Sequence, residues 1–330
     1  MRSLLPILTV VAAILGLWLV AVAPMNFRLA LDAATRAGDP VVPATVQEQG
    51  ETGLVRLMLD NPGLWSAAFD FERPRLPQPQ AVLMEIYDNT AGLIRRCEWQ
   101  GFAADRDNWT PLSDGCLRVV AHNRSLLFHS WQTLAPTLLG FAIGTGLGVL
   151  LAVGIVYNRT MDLSVMPWAI ASQTIPILAI APMIIVVLNS VGVQGLLPKA
   201  IISAYLSFFP VVVGMVKGLR SPSAMQLDQM RTWSASANQT FWKLRMPASV
   251  PYLFASLKIG IAASLVGAIV GELPTGAVRG LGARLLTGSY YGQTIQIWSA
   301  LFATAILAAA LVAIVAGLER VTLKRMGVGR

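Results

Sequence analysis

Residues able to do chemistry are few in this chain, and they do not form a catalytic or metal-binding motif. The 330 residues include two histidines, His122 and His129, which are seven positions apart with Asp114 upstream. Histidines in this arrangement more often face solvent or lipid headgroups than bind a metal ion. The sequence also has no G-x-x-x-x-G-K-[ST] phosphate-binding loop. We therefore expect no metal site, no cofactor and no enzyme activity, and a membrane-anchored enzyme is disfavoured.

Glu272 is the first polar candidate for a role in passing a solute. It lies at the outer end of a long apolar run, and ionisable residues in such places are functional candidates. The alternative is a structural role, either as a cap or in an ion pair with Arg279 or Arg284. The residues alone leave both interpretations open.

A second polar candidate lies in the apolar run at about residues 165–188, which contains three prolines. Gln173 and Thr174 are next to one of them, Pro176. Proline bends a membrane helix, and a bend tolerated inside the bilayer usually lines a cavity or a neighbouring helix. The two polar side chains would then face a solute path, or they would hydrogen-bond to another helix.

The elements that must position these residues are membrane spans. Hydrophobic residues make up 55% of the chain and charged residues 13%, whereas about a quarter of a soluble domain is charged. The apolar residues are clumped into runs long enough to cross a bilayer. These runs cover about residues 4–23, 134–156, 165–188, 200–216, 251–270 and 294–318. We predict an all-α membrane protein with about six transmembrane helices.

The net charge of +8 would suggest nucleic acid, but its distribution indicates a lipid bilayer. Residues 25–130 carry 10 Lys/Arg and 13 Asp/Glu, whereas the rest of the chain carries 15 and 4. The basic surplus flanks the expected inner ends of the spans, as the positive-inside rule predicts. No nucleic-acid partner is expected. The first run is interpreted as an uncleaved helix rather than a signal peptide, and both termini are predicted to be cytoplasmic.

Three regions follow from these spans. They are a first transmembrane helix at 1–24, a periplasmic insertion at 25–130, and a five-helix core at 131–330 with a cytoplasmic loop at 217–250. The insertion contains Cys97 and Cys116, which can pair in an oxidising compartment; two free thiols are the alternative. In the core, glycines at 140, 144 and 148 form a stripe that favours close helix packing.

The cytoplasmic loop carries an apolar stripe outside the membrane. Its members recur at intervals of three, four, four and three, which is one face of a helix or of two short helices; they are Met230, Trp233, Ala237, Phe241 and Leu244. Such a stripe must be covered. It would pack on the protein's own bundle or lie on lipid, or it would dock in a groove on a partner protein.

This loop resembles the motif E-A-A-x3-G-x9-I-x-L-P of the permeases of binding-protein-dependent ABC importers. The spacing fits fully, although only the final proline is identical. The aligned residues are Asp228, Gln229, Met230, Ser234, Leu244, Met246 and Pro247.

Further segments are similar to the nitrate, sulfonate and taurine group of these permeases, over about three-quarters of the chain. They are Leu76-Pro77-Gln78-Pro79, the glycine-rich run 133–148, Ile175-Pro176 with Ala181-Pro182, Pro247-Ala248-Ser249-Val250-Pro251-Tyr252, and Glu272 with Gly280-Leu281-Gly282. Residues 26–75 and the region of the two cysteines are insertions relative to that group.

The resemblance implies a MetI-like permease bundle in a bacterial inner membrane. It implies that the loop, including Trp233 and Phe241, couples to a separate ATP-hydrolysing subunit present in two copies. A periplasmic solute-binding protein and a second permease subunit, expected to be identical, would complete the assembly. The solute would be small and polar or anionic. A stand-alone secondary transporter or channel is the alternative function.

Overall fold

The computed structural model describes residues 4–43, 45–92, 125–274 and 279–327. Within these ranges the chain is helical and contains no strand. The helices are α1 (Leu4–Ala37), α2 (Val46–Glu51), α3 (Leu54–Asp60), α4 (Trp65–Phe69), α5 (Pro79–Asp88), α6 (Leu126–Tyr157), α7 (Arg159–Ser172), α8 (Ile177–Ser190), α9 (Leu196–Leu219), α10 (Ala224–Thr232), α11 (Ala237–Thr240), α12 (Met246–Glu272), α13 (Leu281–Tyr290) and α14 (Thr294–Arg325). The possible disulfide of Cys97 and Cys116, and also His122, fall outside the described residues.

The expected number of membrane spans is confirmed. Five stretches are long and apolar enough to cross a membrane, and α7 with α8 forms a sixth if that bent pair is counted as one span. The first helix is longer than the predicted run at 4–23, since it continues through Pro24 to Ala37. The predicted region boundary at residue 24 therefore falls inside α1.

The described residues within 1–126, together with residues 284–302, form one compact unit. In it, the second half of α1 packs against α3 and α4 through a small apolar core that includes Phe27, Leu31 and Leu57. Asn26, which is fully buried, accepts hydrogen bonds from the backbone N–H groups of Arg75 and Leu76, at 2.7 and 3.1 Å. Its amide donates to the Leu76 carbonyl at 2.9 Å. The segment around Arg75 and Leu76 is therefore held to α1 by hydrogen bonds, in addition to the packing of α3 and α4 on α1.

Residues 127–283 and 303–330 form the second unit, in which small residues let α9 approach both α6 and α12. A Cβ atom placed on Gly140 would lie 2.3 Å from Ser203 Cβ of α9, and one on Gly267 of α12 would lie 2.6 Å from Ser203 Cα. Towards its end, α9 contributes Gly218, where a Cβ would lie 2.9 Å from Ser249 of α12. The predicted glycine stripe of α6 is thus confirmed as a helix-packing surface.

The third predicted span is not one continuous helix. α7 and α8 are 14 residues each and meet at 98° across residues 173–176. Pro167 and Pro182 lie inside the two helices, whereas Pro176 is the residue that precedes α8. A proline there cannot donate the hydrogen bond that would continue α7, which accounts for the position of the break.

We predict that Gly144→Val destabilises the protein, because a Cβ at this position would lie 2.2 Å from Ser207 Oγ and 2.8 Å from the Ala204 carbonyl oxygen. Overpacking of this kind costs roughly 1–3 kcal/mol. The matched control is Gly146→Val on the same helix, since Gly146 has no atom within 4 Å of its Cβ position. Thermal unfolding in detergent compares them, and equal midpoints for both variants would contradict the packing.

Candidate functional site

The connection from α9 to α12, residues 220–245, contains the short helix α10 and then α11, which continues through the π-helical turn Phe241–Arg245 into α12 without a break. Ser223 begins α10 with a capping box, in which its hydroxyl accepts from Gln226 N and Gln226 accepts from Ser223 N. Ser236 and Gln239 repeat the same box at the start of α11. A capping box satisfies two otherwise unpaired backbone donors. Both helix starts are therefore encoded locally and do not need a neighbouring chain to form.

The turn between the two helices depends on Ser234, whose φ is +52°. The Ser234 N–H donates to the Arg231 carbonyl at 2.8 Å, and the Ala235 N–H donates to the Met230 carbonyl at 3.0 Å. This pair of bonds is a Schellman motif, which normally has glycine at the left-handed position. Ser234 occupies the position of the glycine in the E-A-A-x3-G pattern, and it keeps the glycine conformation despite its side chain.

The predicted apolar stripe is divided, because some of its residues pack on the protein's own helix bundle and others are exposed. Met230 is buried, and Phe241 and Leu244 are half-buried. Phe241 packs on the second unit's core and meets the ring of Tyr157 edge-on at 5.8 Å. In contrast, Trp233 is 67% exposed and Ala237 is also exposed. Of the two arrangements predicted for the stripe, one helix or two short helices, the structure has two helix segments, because the turn at Ser234 changes the direction of the chain within the stripe.

Three large apolar side chains of the connection are open to a partner: Met225 at 79% exposure, Trp233 at 67% and Trp242 at 60%. Asp228 and Gln229 are exposed on α10, and Asp228 forms an ion pair with Arg231 at 3.0 Å. Two exposed tryptophans in one short segment are unusual for a surface without a partner, since tryptophan is enriched where proteins bind one another. We name Met225, Trp233 and Trp242 the exposed apolar set.

Polar contacts fix both ends of the connection to the helix bundle. Arg245 donates from a guanidinium nitrogen to the Leu219 carbonyl at 3.0 Å, which satisfies a carbonyl at the end of α9. Arg220 forms an ion pair with Asp162 of α7 at 2.9 Å. Pro247 is half-buried at the start of α12, directly after the π-helical turn Phe241–Arg245. Displacing the connection would therefore pull on α7, α9 and α12 together.

The break between α7 and α8 places the predicted path residues at the bend. Thr174 and Pro176 are exposed, and Thr174 Oγ1 donates to the Ala171 carbonyl at 2.8 Å. The Tyr205 hydroxyl of α9 donates to the Ser172 carbonyl, which the break leaves without a helical donor. Gln173 Nε2 is buried and has no hydrogen-bond partner among the described residues. The bend thus holds a polar group available for another partner.

Glu272 is fully buried, and its carboxylate is held by a cluster that we name the clasp. Thr133 Oγ1 of α6 donates to Glu272 Oε1 at 2.9 Å, and Gly282 N donates to Oε2 at 2.7 Å. Leu281 N in turn donates to Thr133 Oγ1 at 2.9 Å. A carboxylate at the start of α13 satisfies its first backbone donors and suits the positive end of the helix dipole. These bonds describe the capping role that the sequence left open.

Glycine is required in the clasp for space. Gly280 has a φ of +129°, and a Cβ there would lie 2.3 Å from Glu272 Cδ. Gly280 N also donates to His129 Nδ1 at 2.9 Å. The expectation that His129 faces solvent or lipid headgroups was wrong, since His129 is 1% exposed, and sequence reasoning gave Thr133 no role in this cluster. The signal available was indirect, namely a G-L-G segment shortly after a membrane-embedded acid.

Comparison with known proteins adds the family. The model of the family "Binding-protein-dependent transport system inner membrane component" matches residues 144–328, which is more than half of the chain. The chain belongs to this family. The matched range contains the bend and the whole α9–α12 connection. It starts after the insertion, so the family relationship does not account for residues 25–130.

Individual relatives of this inner membrane component have different named substrates. The chain is 32% identical to the formylaminopyrimidine transport permease protein ThiX of Halalkalibacterium halodurans, over 50% of this chain and 65% of that protein. It is 28% identical to the riboflavin transport system permease protein RibX of Chloroflexus aurantiacus, over 66% and 75%. It is 25% identical to the putative aliphatic sulfonates transport permease protein SsuC of Bacillus subtilis, over 60% and 70%. The aligned part thus spans slightly less than two thirds of ThiX.

Replacing Ser234 by glycine should stabilise the connection of this inner membrane component. A residue with a Cβ atom in the left-handed region costs about 1 kcal/mol relative to glycine, and the φ of +52° is retained by both hydrogen bonds of the turn. Amide hydrogen exchange of residues 224–245 should be slower in Ser234→Gly. Ser234→Ala is the control, since it removes the hydroxyl but keeps the Cβ. Slower exchange in both variants would assign the effect to the hydroxyl.

Removing the Thr133 hydroxyl should weaken the clasp. Thr133→Val removes one hydrogen bond from Glu272 Oε1 and takes the acceptor from the Leu281 N–H, and the loss of a buried hydrogen-bond partner costs roughly 1–3 kcal/mol. Thr137→Val is the control one turn away, because the equally buried Thr137 Oγ1 donates only to the carbonyl of Thr133 in its own helix, at 2.7 Å. Thermal unfolding should separate the two variants, and a control as unstable as Thr133→Val would argue against the clasp.

Proposed function

We propose that this chain is the membrane-spanning permease subunit of an ATP-driven importer. It passes a small polar or anionic organic solute from a periplasmic binding protein to the cytoplasm. The observation that carries the proposal is the α9–α12 connection. It combines two capped helix starts, an exposed apolar set and polar contacts that fix it to the bundle.

The connection is proposed to dock on a separate ATP-hydrolysing subunit. Trp233 is the centre of the docking contact, because it follows directly after α10 and is the tryptophan nearest to the left-handed turn. A large exposed aromatic residue that fills a pocket on a partner typically provides much of the binding energy. Asp228, Gln229 and the rest of the exposed apolar set would surround it. Phe241 would transmit the movement, because it already packs on the bundle, and the half-buried Leu244 would assist it.

The working assembly is proposed to contain two ATP-binding subunits and two permease subunits, most simply two copies of this chain. In this arrangement, residues 25–130 form a periplasmic region, the connection lies in the cytoplasm, and both termini are cytoplasmic. The support is the distribution of charge, since the basic surplus of the sequence lies outside 25–130.

The solute path is proposed to pass the bend between α7 and α8. Gln173 offers a buried amide nitrogen without a partner among the described residues, and Thr174 and Pro176 are exposed beside it. A helix broken inside a membrane is tolerated where the freed backbone groups face protein or a water-filled cavity. Glu272 contributes to this path only indirectly, because both of its carboxylate oxygens serve the clasp.

Co-purification tests the docking contact. The full chain is expressed with its candidate ATPase subunit and purified in detergent, next to Trp233→Asp. The variant should lose the complex, since removing such an anchor costs at least about 2 kcal/mol. Trp131→Asp is the matched control, because Trp131 is 65% exposed near the start of α6, whereas the end of that helix contacts the connection through Tyr157.

The outcomes distinguish the proposal from its alternatives. A complex that survives in Trp233→Asp would show that the ATPase docks elsewhere. A complex lost equally in Trp131→Asp would indicate general misfolding. Solute uptake at full rate without any ATPase subunit would favour a stand-alone secondary transporter. Phe241→Asp is unsuitable here, because Phe241 belongs to the core and its loss would disturb the fold itself.

A further inference from the structure

Helix α5, in the insertion, presents an apolar face on its outer side. Leu83, Met84 and Tyr87 are 65%, 69% and 46% exposed. Tyr87 follows the other two by one helical turn, so the three side chains share one side of the helix. The opposite side is packed on the protein, with Val82 at 1% exposure. A contiguous apolar surface of this kind indicates a place where something binds.

The start of α5 is held near the level where the apolar run of α1 ends. Trp18 lies close to the end of that run, and its Nε1 donates to the Pro77 carbonyl at 2.9 Å. The Trp18 ring also packs against Trp298 and Phe302 of α14, with ring centroids 4.8 and 5.8 Å away. Tryptophan is enriched at the boundary between lipid and water. Pro77, two residues before α5, is therefore placed at that boundary.

The end of α5 is held to a second membrane span. Leu126 N, at the first residue of α6, donates to the Asn89 carbonyl at 3.0 Å, and α6 is long and apolar enough to cross a bilayer. This bond satisfies a backbone donor that the start of a helix leaves unpaired. With ten residues, α5 is about 15 Å long. Because both of its ends are bonded to spans, α5 is confined to the surface of the bilayer.

We propose that α5 lies on the bilayer surface, with Leu83, Met84 and Tyr87 buried in the boundary between headgroups and acyl chains. Amphipathic helices enter this boundary by about 5–10 Å. A free helix of ten residues would be marginal in water, but α5 is held at both ends by the protein. The proposal requires only that α1 and α6 cross the membrane. It does not depend on ATP-driven import.

A protein partner fits this face less well than lipid does. A stable interface between proteins usually takes about 20–30 residues from each side, whereas this face offers three large apolar side chains. A lipid surface needs no such area, because the spans already hold the helix in place. The lipid contact would keep the insertion at a fixed height above the membrane.

Oxidation of the native chain in lipid nanodiscs, without any partner subunit, tests the contact. Met84 and Met225 are similarly exposed, at 69% and 79%, and methionine is oxidised to its sulfoxide where the oxidant reaches it. The oxidant is chloramine-T, and peptide mass spectrometry gives the rate at each residue. Met84 should react at least about tenfold more slowly than Met225, because its side chain must leave lipid to react. Equal rates would overturn the proposal.

Photocrosslinking then identifies what covers the face. The photoreactive amino acid p-benzoylphenylalanine replaces Met84 in the full chain in native membranes, and adducts are identified by mass spectrometry. The yield of lipid adducts should be close to that of a second variant at Leu17, which is 71% exposed in the apolar half of α1. Glu48 of α2 is the water-exposed control, because α2 is bonded to Thr35, about 25 Å along α1 from Trp18.

The adducts decide between lipid and its alternatives. A lipid yield at Met84 no higher than the yield at Glu48 would overturn the proposal. So would a crosslinked dimer of this chain, an adduct with a soluble periplasmic protein, or an adduct within the chain's own insertion, because each would assign the face to a protein contact. None of these results bears on whether Trp233 docks an ATPase subunit.

Discussion

The close approach of α9 to α6 and α12 is the constraint on which the second unit depends. In lipid, helices gain little from the hydrophobic effect when they associate, so contact must come from shape. Gly140 and Gly144 of α6 meet Ser203 and Ser207 of α9 at distances where no Cβ would fit. Because the same α9 also packs on α12 from Gly267 down to Ser249, one helix sets the position of two others. The α9–α12 connection then begins and ends on helices that are already packed against each other. Its ends therefore cannot move independently of the helix bundle.

Much of this arrangement could be predicted from residue types. The glycines of α6 are spaced by one helical turn, so their common face follows from geometry alone. The division of the apolar stripe could not be predicted in the same way. Periodicity assumes that one helix continues, and Ser234 gives little warning of a left-handed turn because serine rarely adopts one. Once the turn exists, Trp233 and Phe241 belong to separate helices, and their shared period no longer places them on one face.

Glu272 shows a second limit of sequence reasoning. An acid at the end of an apolar run can serve a solute path or the protein itself, and the residues alone support either. The choice depends on whether backbone donors reach the carboxylate, and those donors come from Gly282 and, through Thr133, from Leu281. The backbone direction at Gly280, whose φ is +129°, cannot be predicted from the side chains around it. The bend at 173–176 was easier to predict, because Pro176 lacks the N–H that would continue the helix. The angle of 98° between the two helices could not be predicted.

The clasp also has a consequence for the order in which the protein is made. Thr133 and Glu272 are 139 positions apart, and Gly282 follows another 10 later. During synthesis, α12 leaves the ribosome before Gly282, whose N–H donates to the carboxylate of Glu272. Until residue 282 is available, the end of α12 carries a carboxylate without those backbone donors, which is costly at membrane depth. The clasp can therefore form only after residue 282 has been synthesised, and it joins an early helix of the chain to a late one.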